Sequence, residues 1–163
     1  MGIGRVVCGG QTGVDRAALD TAVELGIPYG GWCPRGGWAE DMPEPPGLLA
    51  VYPALRATPS AEPAQRTRWN VRDSDATLIL LPGPARAAGG TALTIAAAGE
   101  LGRPLAVVDL SGAGAREHAM GLLAELPPGG ALNVAGPRES GAPGIYGRAR
   151  ELLAELLGSV SAT

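Results

Sequence analysis

The stretch Ala76-Thr77-Leu78-Ile79-Leu80-Leu81 decides the fold class, because every residue in it except Thr77 is apolar. A run of this kind without polar alternation is typical of a parallel strand that is covered on both faces. Further apolar runs alternate along the chain with segments of helical periodicity. This alternation predicts an α/β protein in which helices pack against a mostly parallel sheet.

Other runs with the composition of strands are Arg5–Cys8, Ile27–Gly31, Leu49–Tyr52, Leu105–Asp109 and Ala131–Ala135. The common order of a doubly wound sheet with six strands is 3-2-1-4-5-6, counted along the chain. That order places the strand ending at Cys8 next to the strand ending at Leu81. We expect a ligand to bind there, in the crevice outside the carboxyl ends of the two strands.

Helical periodicity lies between the strands, and the apolar stripe from Val14 to Leu25 is one clear case. Thr12 and Asp15 have the spacing of a capping box at the start of this helix, and Gly26 is suited to end it. The other predicted helices are Ala61–Ser74, Thr91–Leu101, Arg116–Leu126 and Ile145–Leu157.

The length of 163 residues, or 16.4 kDa, fits one domain, which we place at residues 1–160 with a frayed tail at 161–163. No apolar stretch reaches the ~18 residues that a membrane span needs, and the first residues lack the pattern of a signal peptide. Two cysteines, Cys8 and Cys33, are too few for a disulfide framework or a zinc site. We therefore expect a cytoplasmic protein without a membrane partner.

The charged residues limit the possible chemistry, because all thirteen basic side chains are arginines. The absence of lysine excludes a lysine nucleophile, a Schiff base and the lysine of a P-loop. With 16 acidic residues and a net charge of -3, the chain also lacks the basic footprint of a nucleic-acid-binding protein. A small anionic or phosphorylated ligand is compatible with this composition if backbone N–H groups and arginine hold it.

Two glycine-rich turns join a predicted strand to a predicted helix: Gly9-Gly10-Gln11-Thr12-Gly13 and Gly89-Gly90-Thr91. Each turn directs backbone N–H groups toward one point, and the helix dipole adds about half a positive charge there. In the predicted strand order both turns face the same crevice, which favours a shared site for a phosphate group or another oxyanion. Neither turn matches the dinucleotide or P-loop motif, and a plain strand-to-helix turn is the alternative for each.

Polar residues of a predicted helix are candidates for a wall of this crevice. At helical spacing Arg66, Asn70 and Asp73 share one face of the helix. A solvated surface with ion pairs is the alternative interpretation of the same pattern.

The segment from Gly31 to Leu48 has no helical period and is predicted as a long loop. Within it, Trp32 has an aromatic face suited to stacking on a flat heterocycle, and Arg35 is suited to pairing with phosphate. The complete set of candidate ligand-binding residues is Gly9, Gly10, Gln11, Thr12, Gly13, Asp15, Arg16, Trp32, Arg35, Arg66, Asn70, Asp73, Gly89, Gly90, Thr91, Thr94, Asn133, Arg138 and Ser140. The sequence shows no Ser-His-Asp set, carboxylate pair or metal-ligand cluster, so an anion-binding module is favoured over an enzyme.

A set of ordered motifs resembles the molybdenum-cofactor carrier family: Cys8–Arg16, Gly30–Pro34, Arg66-Thr67 with Asn70-Val71, Asp73–Thr77, Gly89–Thr91 and Leu132–Ser140. The resemblance covers the chain from Val6 to about Tyr146. That family is part of a wider Rossmann-like superfamily that includes the cytokinin-activating phosphoribohydrolases, also called lysine-decarboxylase-like proteins. The resemblance implies a single Rossmann-like, doubly wound sheet with helices on both faces, a homodimer or homotetramer, and binding of molybdenum cofactor (molybdopterin) or a related phosphorylated ligand.

One position departs from the pattern of the enzymes in that superfamily, which carry Pro-Gly-Gly-x-Gly-Thr-x-x-Glu. Here Gly89-Gly90-Thr91-Ala92-Leu93-Thr94 lacks one glycine and has Thr94 where the glutamate falls. The resemblance therefore implies a non-catalytic carrier or storage protein. A phosphoribohydrolase-like enzyme that processes nucleotides, and a nucleotide-sensing module that uses the same pocket, are the alternatives.

Overall fold

The computed structural model describes residues 2–84 and 89–161. The strands within them are β1 (Arg5–Val7), β2 (Tyr29–Gly30), β3 (Trp32–Cys33), β4 (Arg56–Ala57), β5 (Ala76–Leu81), β6 (Leu105–Asp109) and β7 (Ala131–Ala135). A central sheet has the order β2-β1-β7-β5-β6, and every pair in it is parallel. Strands β3 and β4 pair with each other in a separate parallel sheet. The predicted α/β class with a parallel sheet is confirmed.

The helices are α1 (Val14–Leu25), α2 (Leu48–Val51), α3 (Pro63–Arg72), α4 (Gly89–Leu101), α5 (Ala115–Leu123) and α6 (Ile145–Ser161), with a 3-10 helix at Arg35–Gly37. All predicted helices are therefore present, with ends that differ by at most four residues from the prediction. Helix α6 extends through Ser161, so the predicted frayed tail begins inside a helix, and residues 162 and 163 lie outside the described residues. Across the described ranges, no helix combines the length and the apolar character that crossing a bilayer requires.

Helices cover both faces of the central sheet. Leu78 and Leu80 of β5 belong to a core cluster that includes residues of α1, α5 and α6. On the other face, Val71 of α3 packs with Ala97 of α4 against Leu105 of β6. Because the sheet is covered on both sides, all six residues of β5 are buried, as its continuous apolar run predicts.

The predicted order of the strands is wrong at one place, because β7 lies between β1 and β5. In register, Val6 of β1 lies opposite Leu132 of β7, and Asn133 of β7 lies opposite Thr77 of β5. The side chain of Asn133 donates a hydrogen bond to the Thr77 hydroxyl at 3.3 Å across the second pair. An apolar run predicts that a segment is a buried strand, but it does not say which two strands it separates.

The predicted strand Leu49–Tyr52 is also wrong, since this segment forms the single helical turn α2. The Tyr52 N–H donates to the Leu48 carbonyl at 2.7 Å, and Gly47 enters the turn with a φ of 51°. A four-residue apolar run fits a strand or a buried helical turn equally well, so tertiary contacts decide between them. The sequence does not predict the short strands β3 and β4, because a strand of two residues is too short to show the alternation of apolar and polar side chains.

Candidate functional site

A cleft of about 720 Å³ opens where β1, β7 and β5 end at one edge of the central sheet. Its walls come from the loop after β1, helix α3, the start of α4 and the loop after β7. Open parallel α/β sheets bind their ligands at this edge. Since β7 separates β1 from β5, the two glycine-rich turns lie on opposite sides of the loop that follows β7.

The structure brings together most, but not all, of the predicted site residues. Those that line the cleft are Gly9, Gln11, Asp15, Arg66, Asn70, Gly89, Gly90, Thr91, Thr94, Asn133, Arg138 and Ser140. Those outside its lining are Gly10, Thr12, Gly13, Arg16, Trp32, Arg35 and Asp73.

The first glycine turn (residues 9–13) does not begin α1 with the predicted capping box. The N-terminal cap is Gly13, with a φ of 79° and no hydrogen bond from a side chain. The Asp15 carboxylate instead accepts the Gln11 N–H at 3.3 Å, and the Thr12 hydroxyl accepts the Glu139 N–H at 3.1 Å. Thr12 and Asp15 therefore do not cap α1, because their side chains bind the backbone of Glu139 and of Gln11 instead. Their spacing in the sequence does not reveal these partners.

Much of the first turn's hydrogen bonding is satisfied within the chain. The Gly9 carbonyl accepts a hydrogen bond from Arg66 at 2.8 Å. The Thr12 N–H donates to Gln11 Oε1 at 3.0 Å. The Val14 N–H donates to the carbonyl of Pro137, in the loop after β7, at 3.3 Å. Several N–H groups that were expected to hold an external anion are thus already used, which corrects the picture of two equivalent anion-binding turns.

Asp15 is a buried carboxyl group in the wall of the cleft, with 7% of its surface exposed. Burial raises the pKa of Asp15 to about 6, although Arg66, the Gln11 N–H and Arg16 all favour the ionised form. A carboxyl group with this pKa exchanges a proton near neutral pH, which most surface carboxyl groups do not.

Gln11 has an amide whose donor group lacks a partner. Its Oε1 accepts hydrogen bonds from the backbone N–H groups of Thr12 and Glu40, each at 3.0 Å. Its Nε2 is buried without a hydrogen-bond partner among the described residues. An unsatisfied buried donor costs about 1–3 kcal/mol, so an acceptor atom from a ligand in the cleft would relieve that cost.

The second glycine turn (residues 89–91) is open. Gly89 and Gly90 are exposed, and within residues 2–84 and 89–161 a Cβ placed on either would meet no atom within 4 Å outside the helix's own backbone. Thr91 and Thr94 of the same helix are buried against the cleft, and the Thr94 hydroxyl donates to the Gly90 carbonyl at 2.9 Å. The start of α4 therefore offers its dipole and backbone to the cleft, whereas the Thr94 proton is used inside the helix.

Glu40 joins the long loop to the cleft, and sequence reasoning missed it. Its carboxylate accepts hydrogen bonds from the hydroxyl groups of Thr12 and Ser140, the latter at 2.6 Å, and lies 3.9 Å from the guanidinium of Arg138. The hydrogen bonds from Ser140 and Thr12 lower the pKa of Glu40 below its usual value. No local pattern marks this residue, because its partners lie 28 and 100 positions away in the chain.

Arg16 supports the first turn from outside the cleft. Its guanidinium donates to the Gly10 carbonyl at 3.2 and 3.1 Å and forms a bidentate pair with Asp41, both contacts at 2.8 Å. The residue therefore connects the first turn to the long loop and does not line the cleft.

The predicted polar face of α3 divides into a part in the cleft and a part at the end of the helix. Asn70 lines the cleft, but its amide is used by the Trp32 backbone, which it binds as acceptor at 2.7 Å and as donor at 2.9 Å. Asp73 accepts the indole N–H of Trp32 at 2.7 Å and pairs with Arg72. Trp32 packs edge-on against Trp69, with ring centroids 4.8 Å apart. Arg35 is exposed and does not line the cleft.

The fold and the cleft define a Rossmann-like ligand-binding protein with its site at the carboxyl edge of a parallel sheet. The chain belongs to the circularly permutated YpsA SLOG family, which it matches over residues 6–157. The crystal structure of "Putative molybdenum carrier protein" from Syntrophus aciditrophicus SB is similar to it, with a TM-score of 0.81 and 38% sequence identity. That similarity covers 95% of this chain and 94% of the other. No curated protein matches the chain.

Proposed function

We propose that the cleft binds a small phosphorylated ligand, either molybdenum cofactor (molybdopterin) or a related molecule, and that the protein carries or stores it. The observation that carries this proposal is a pair of buried donor groups in the cleft: Arg66 and the Nε2 of Gln11, which has no hydrogen-bond partner in the described part of the chain. A carrier role is supported by the similarity to the protein from Syntrophus aciditrophicus, which is named as a molybdenum carrier.

The donor chemistry suits the phosphate of such a ligand. An arginine side chain has five N–H donors, and the hydrogen bond from Arg66 to Gly9 uses one of them. The start of α4 at Gly89 and Gly90 adds its dipole on another wall of the same cleft. Cys8 and Cys33 are buried and do not line the cleft, so their thiols are not placed to hold a metal there. Molybdenum would therefore enter the cleft as part of the bound molecule.

A carrier is favoured over a hydrolase because Thr94 stands at the place of the glutamate of related enzymes and its hydroxyl donates to its own helix. The second candidate function, a phosphoribohydrolase, is supported by one observation, the raised pKa of Asp15 in the cleft. A group of this pKa is suited to general acid–base chemistry. Incubation with AMP and cytokinin-type nucleotides distinguishes the two: a carrier releases no free base above a heat-killed control, and a hydrolase shows turnover that Asp15→Asn removes.

The experiment that tests the carrier proposal is a titration of the purified protein with molybdenum cofactor, AMP and molybdate, together with mass spectrometry of any molecule that co-purifies. We expect the cofactor to bind more tightly than AMP; tighter binding of AMP would favour a nucleotide-sensing module. Arg66→Met should weaken cofactor binding more than tenfold, about 1.4 kcal/mol. The matched control is Arg116→Met, an exposed arginine that pairs with Glu155 and does not line the cleft. Equal effects of the two variants would contradict the proposal.

We further propose a homodimer or homotetramer, as the family resemblance implies. The exposed Leu101 at the end of α4 is the kind of apolar side chain that an interface would cover. Light scattering across a wide concentration range should return twice or four times the chain mass, and a monomer mass throughout would contradict this expectation.

A further inference from the structure

We propose that Asp15 makes the cleft bind an oxyanion together with one proton: hydrogen phosphate brings that proton, whereas a bare dianion, such as molybdate, sulfate or an ionised phosphate monoester, binds only when Asp15 takes up a proton from solvent. This inference rests on the proposed function and concerns the same cleft. It assigns the selection of the ligand to Asp15 at the start of α1, while the second turn and Arg66 attract the negative charge.

The carboxylate of Asp15 is a hydrogen-bond acceptor that lies among the donor groups of Gln11 and Arg66. Asp15 lines the cleft together with Gln11 and Arg66, and it is buried. Its Oδ2 accepts the Gln11 N–H at 3.3 Å, and the backbone at Gly9 donates to the same carboxylate. A carboxylate has about four lone-pair positions, so acceptor capacity remains for a ligand.

The charged and titratable groups that face Asp15 come from three elements. Arg66 of α3 and Arg16 of α1 favour its ionised form, and the Cys8 thiol beside it donates a hydrogen bond to the Asp15 backbone carbonyl at 3.4 Å. Burial also raises the pKa of the Cys8 thiol, so this neighbour stays neutral. The carboxyl group of Asp15 is therefore the one of these groups that gains or loses a proton between pH 5 and 8.

The selectivity between oxyanions depends on a single proton, which is shared by the Asp15 carboxyl group and the bound oxyanion. Hydrogen phosphate donates its O–H to ionised Asp15, and no covalent bond is made or broken. Sulfate and molybdate carry no proton at neutral pH, so their oxygen atoms meet the carboxylate as like charges unless Asp15 first takes a proton from solvent. Because the pKa of Asp15 is about 6, the affinity for a bare dianion should fall about tenfold for each pH unit above that value.

A phosphate monoester also needs one proton between its oxygen atoms and Asp15, but it carries one proton fewer than inorganic phosphate does. It loses its last proton near pH 6, so above that pH it binds together with one proton that the protein takes up. Its affinity should therefore rise on acidification from pH 8 to pH 6, whereas that of hydrogen phosphate should change little.

The test measures the affinity of inorganic phosphate, sulfate and molybdate by calorimetry at pH 8.0 and pH 5.5, at constant ionic strength. At pH 8.0 the wild-type protein should bind phosphate about a hundredfold more tightly than the other two ions, since this is two pH units above the pKa of Asp15. At pH 5.5 the three affinities should agree within about threefold, because Asp15 is then protonated and donates to any of them.

The variant Asp15→Asn presents an amide N–H at every pH, so its preference for phosphate at pH 8.0 should shrink to about threefold or less. Asp109→Asn is the matched control, because Asp109 is an exposed carboxylate bound to Ser111 and outside the cleft lining. Should Asp15→Asn fold poorly, the wild-type comparison between the two pH values still decides.

Two results would overturn the inference: equal affinity for the three ions in the wild-type protein at pH 8.0, or an undiminished preference in Asp15→Asn. Absence of binding of all three ions at both pH values would also overturn it, because a subsite beside Arg66 has to accept at least hydrogen phosphate. The titration with molybdenum cofactor is independent of these results, so the carrier proposal stands or fails separately.

Discussion

The two glycine-rich turns look alike in the sequence and differ in the structure. The first turn is packed by its own chain: a Cβ on Gly9 would lie 2.3 Å from the Arg66 guanidinium, and one on Gly13 would lie 2.3 Å from the Pro137 carbonyl oxygen. Around Gly89 and Gly90 of the second turn, no atom of the described residues that lie outside the helix's own backbone comes within 4 Å of a Cβ at either position. The same residue type therefore serves close packing in one turn and leaves access for a ligand in the other.

This difference teaches that a glycine-rich turn before a helix is not by itself a phosphate site. In the first turn the chain supplies an internal anion, Asp15, and an internal cation, Arg66, to the groups that such a turn exposes. In the second turn all three residues line the cleft, whereas in the first turn only Gly9 and Gln11 do.

The largest effect is expected from Gly13→Ala. The new Cβ would overlap the loop after β7, and an alanine is strained at a φ of 79°. We expect the free energy of unfolding to fall by about 3 kcal/mol or more, measured by urea denaturation. The matched change in the open turn, Gly90→Ala, should alter it by less than about 1 kcal/mol, with stabilisation as the expected sign because alanine favours a helix. Similar losses in both variants would remove the contrast between the turns.

The next effect concerns stability as a function of pH. The unfolded Asp15 ionises near pH 3.9, whereas the folded one ionises at about pH 6, so the folded state holds the extra proton between these values. Its contribution to stability is full below about pH 4 and declines as the pH rises to 6, by about 3 kcal/mol in total. Urea denaturation of wild type and Asp15→Asn from pH 4 to 7 should show this decline only in the wild type. Parallel pH profiles would show that Asp15 has an ordinary pKa.

A smaller effect is expected on binding from Gly90→Asp. The new carboxylate would lie at the start of α4 inside the cleft, where it repels a phosphate but suits the helix dipole. Affinity for AMP or molybdenum cofactor should fall more than tenfold, about 1.4 kcal/mol, in calorimetric titration, with the unfolding free energy nearly unchanged. The control is Gly147→Asp, which adds the same charge to an equally open position in the first turn of α6. A folded Gly90→Asp protein with wild-type affinity would place the ligand elsewhere.

The smallest effect is expected from Thr94→Val. The Thr94 hydroxyl donates to the Gly90 carbonyl, so its removal takes away a hydrogen bond inside the helix rather than one to a ligand. Ligand affinity should stay within about threefold and the unfolding free energy within about 1 kcal/mol. A large loss of affinity with normal folding would instead assign Thr94 to ligand contact.

The sequence by itself determined the α/β class, the five strands of the central sheet and five of the helices. The apolar run of β5 and the alternation of strands and helices were sufficient for the α/β class, because burial on both faces imposes that pattern. Residues of both glycine-rich turns and Arg66 line one cleft, since the carboxyl ends of parallel strands share one edge. The family resemblance was readable because its motifs are ordered along nearly the whole chain.

Only the tertiary structure decided the position of β7, the role of each glycine turn and the part played by Glu40. Each depends on contacts between residues far apart in the chain, such as the hydrogen bonds from Thr12 and Ser140 to Glu40, which leave no local pattern. The same holds for Asp15: its spacing from Thr12 indicated a helix cap, whereas burial beside Arg66 makes it a proton-exchanging group in the cleft. Periodicity and turn chemistry act over a few residues, but burial, strand order and pKa values are set by the packing of the whole chain.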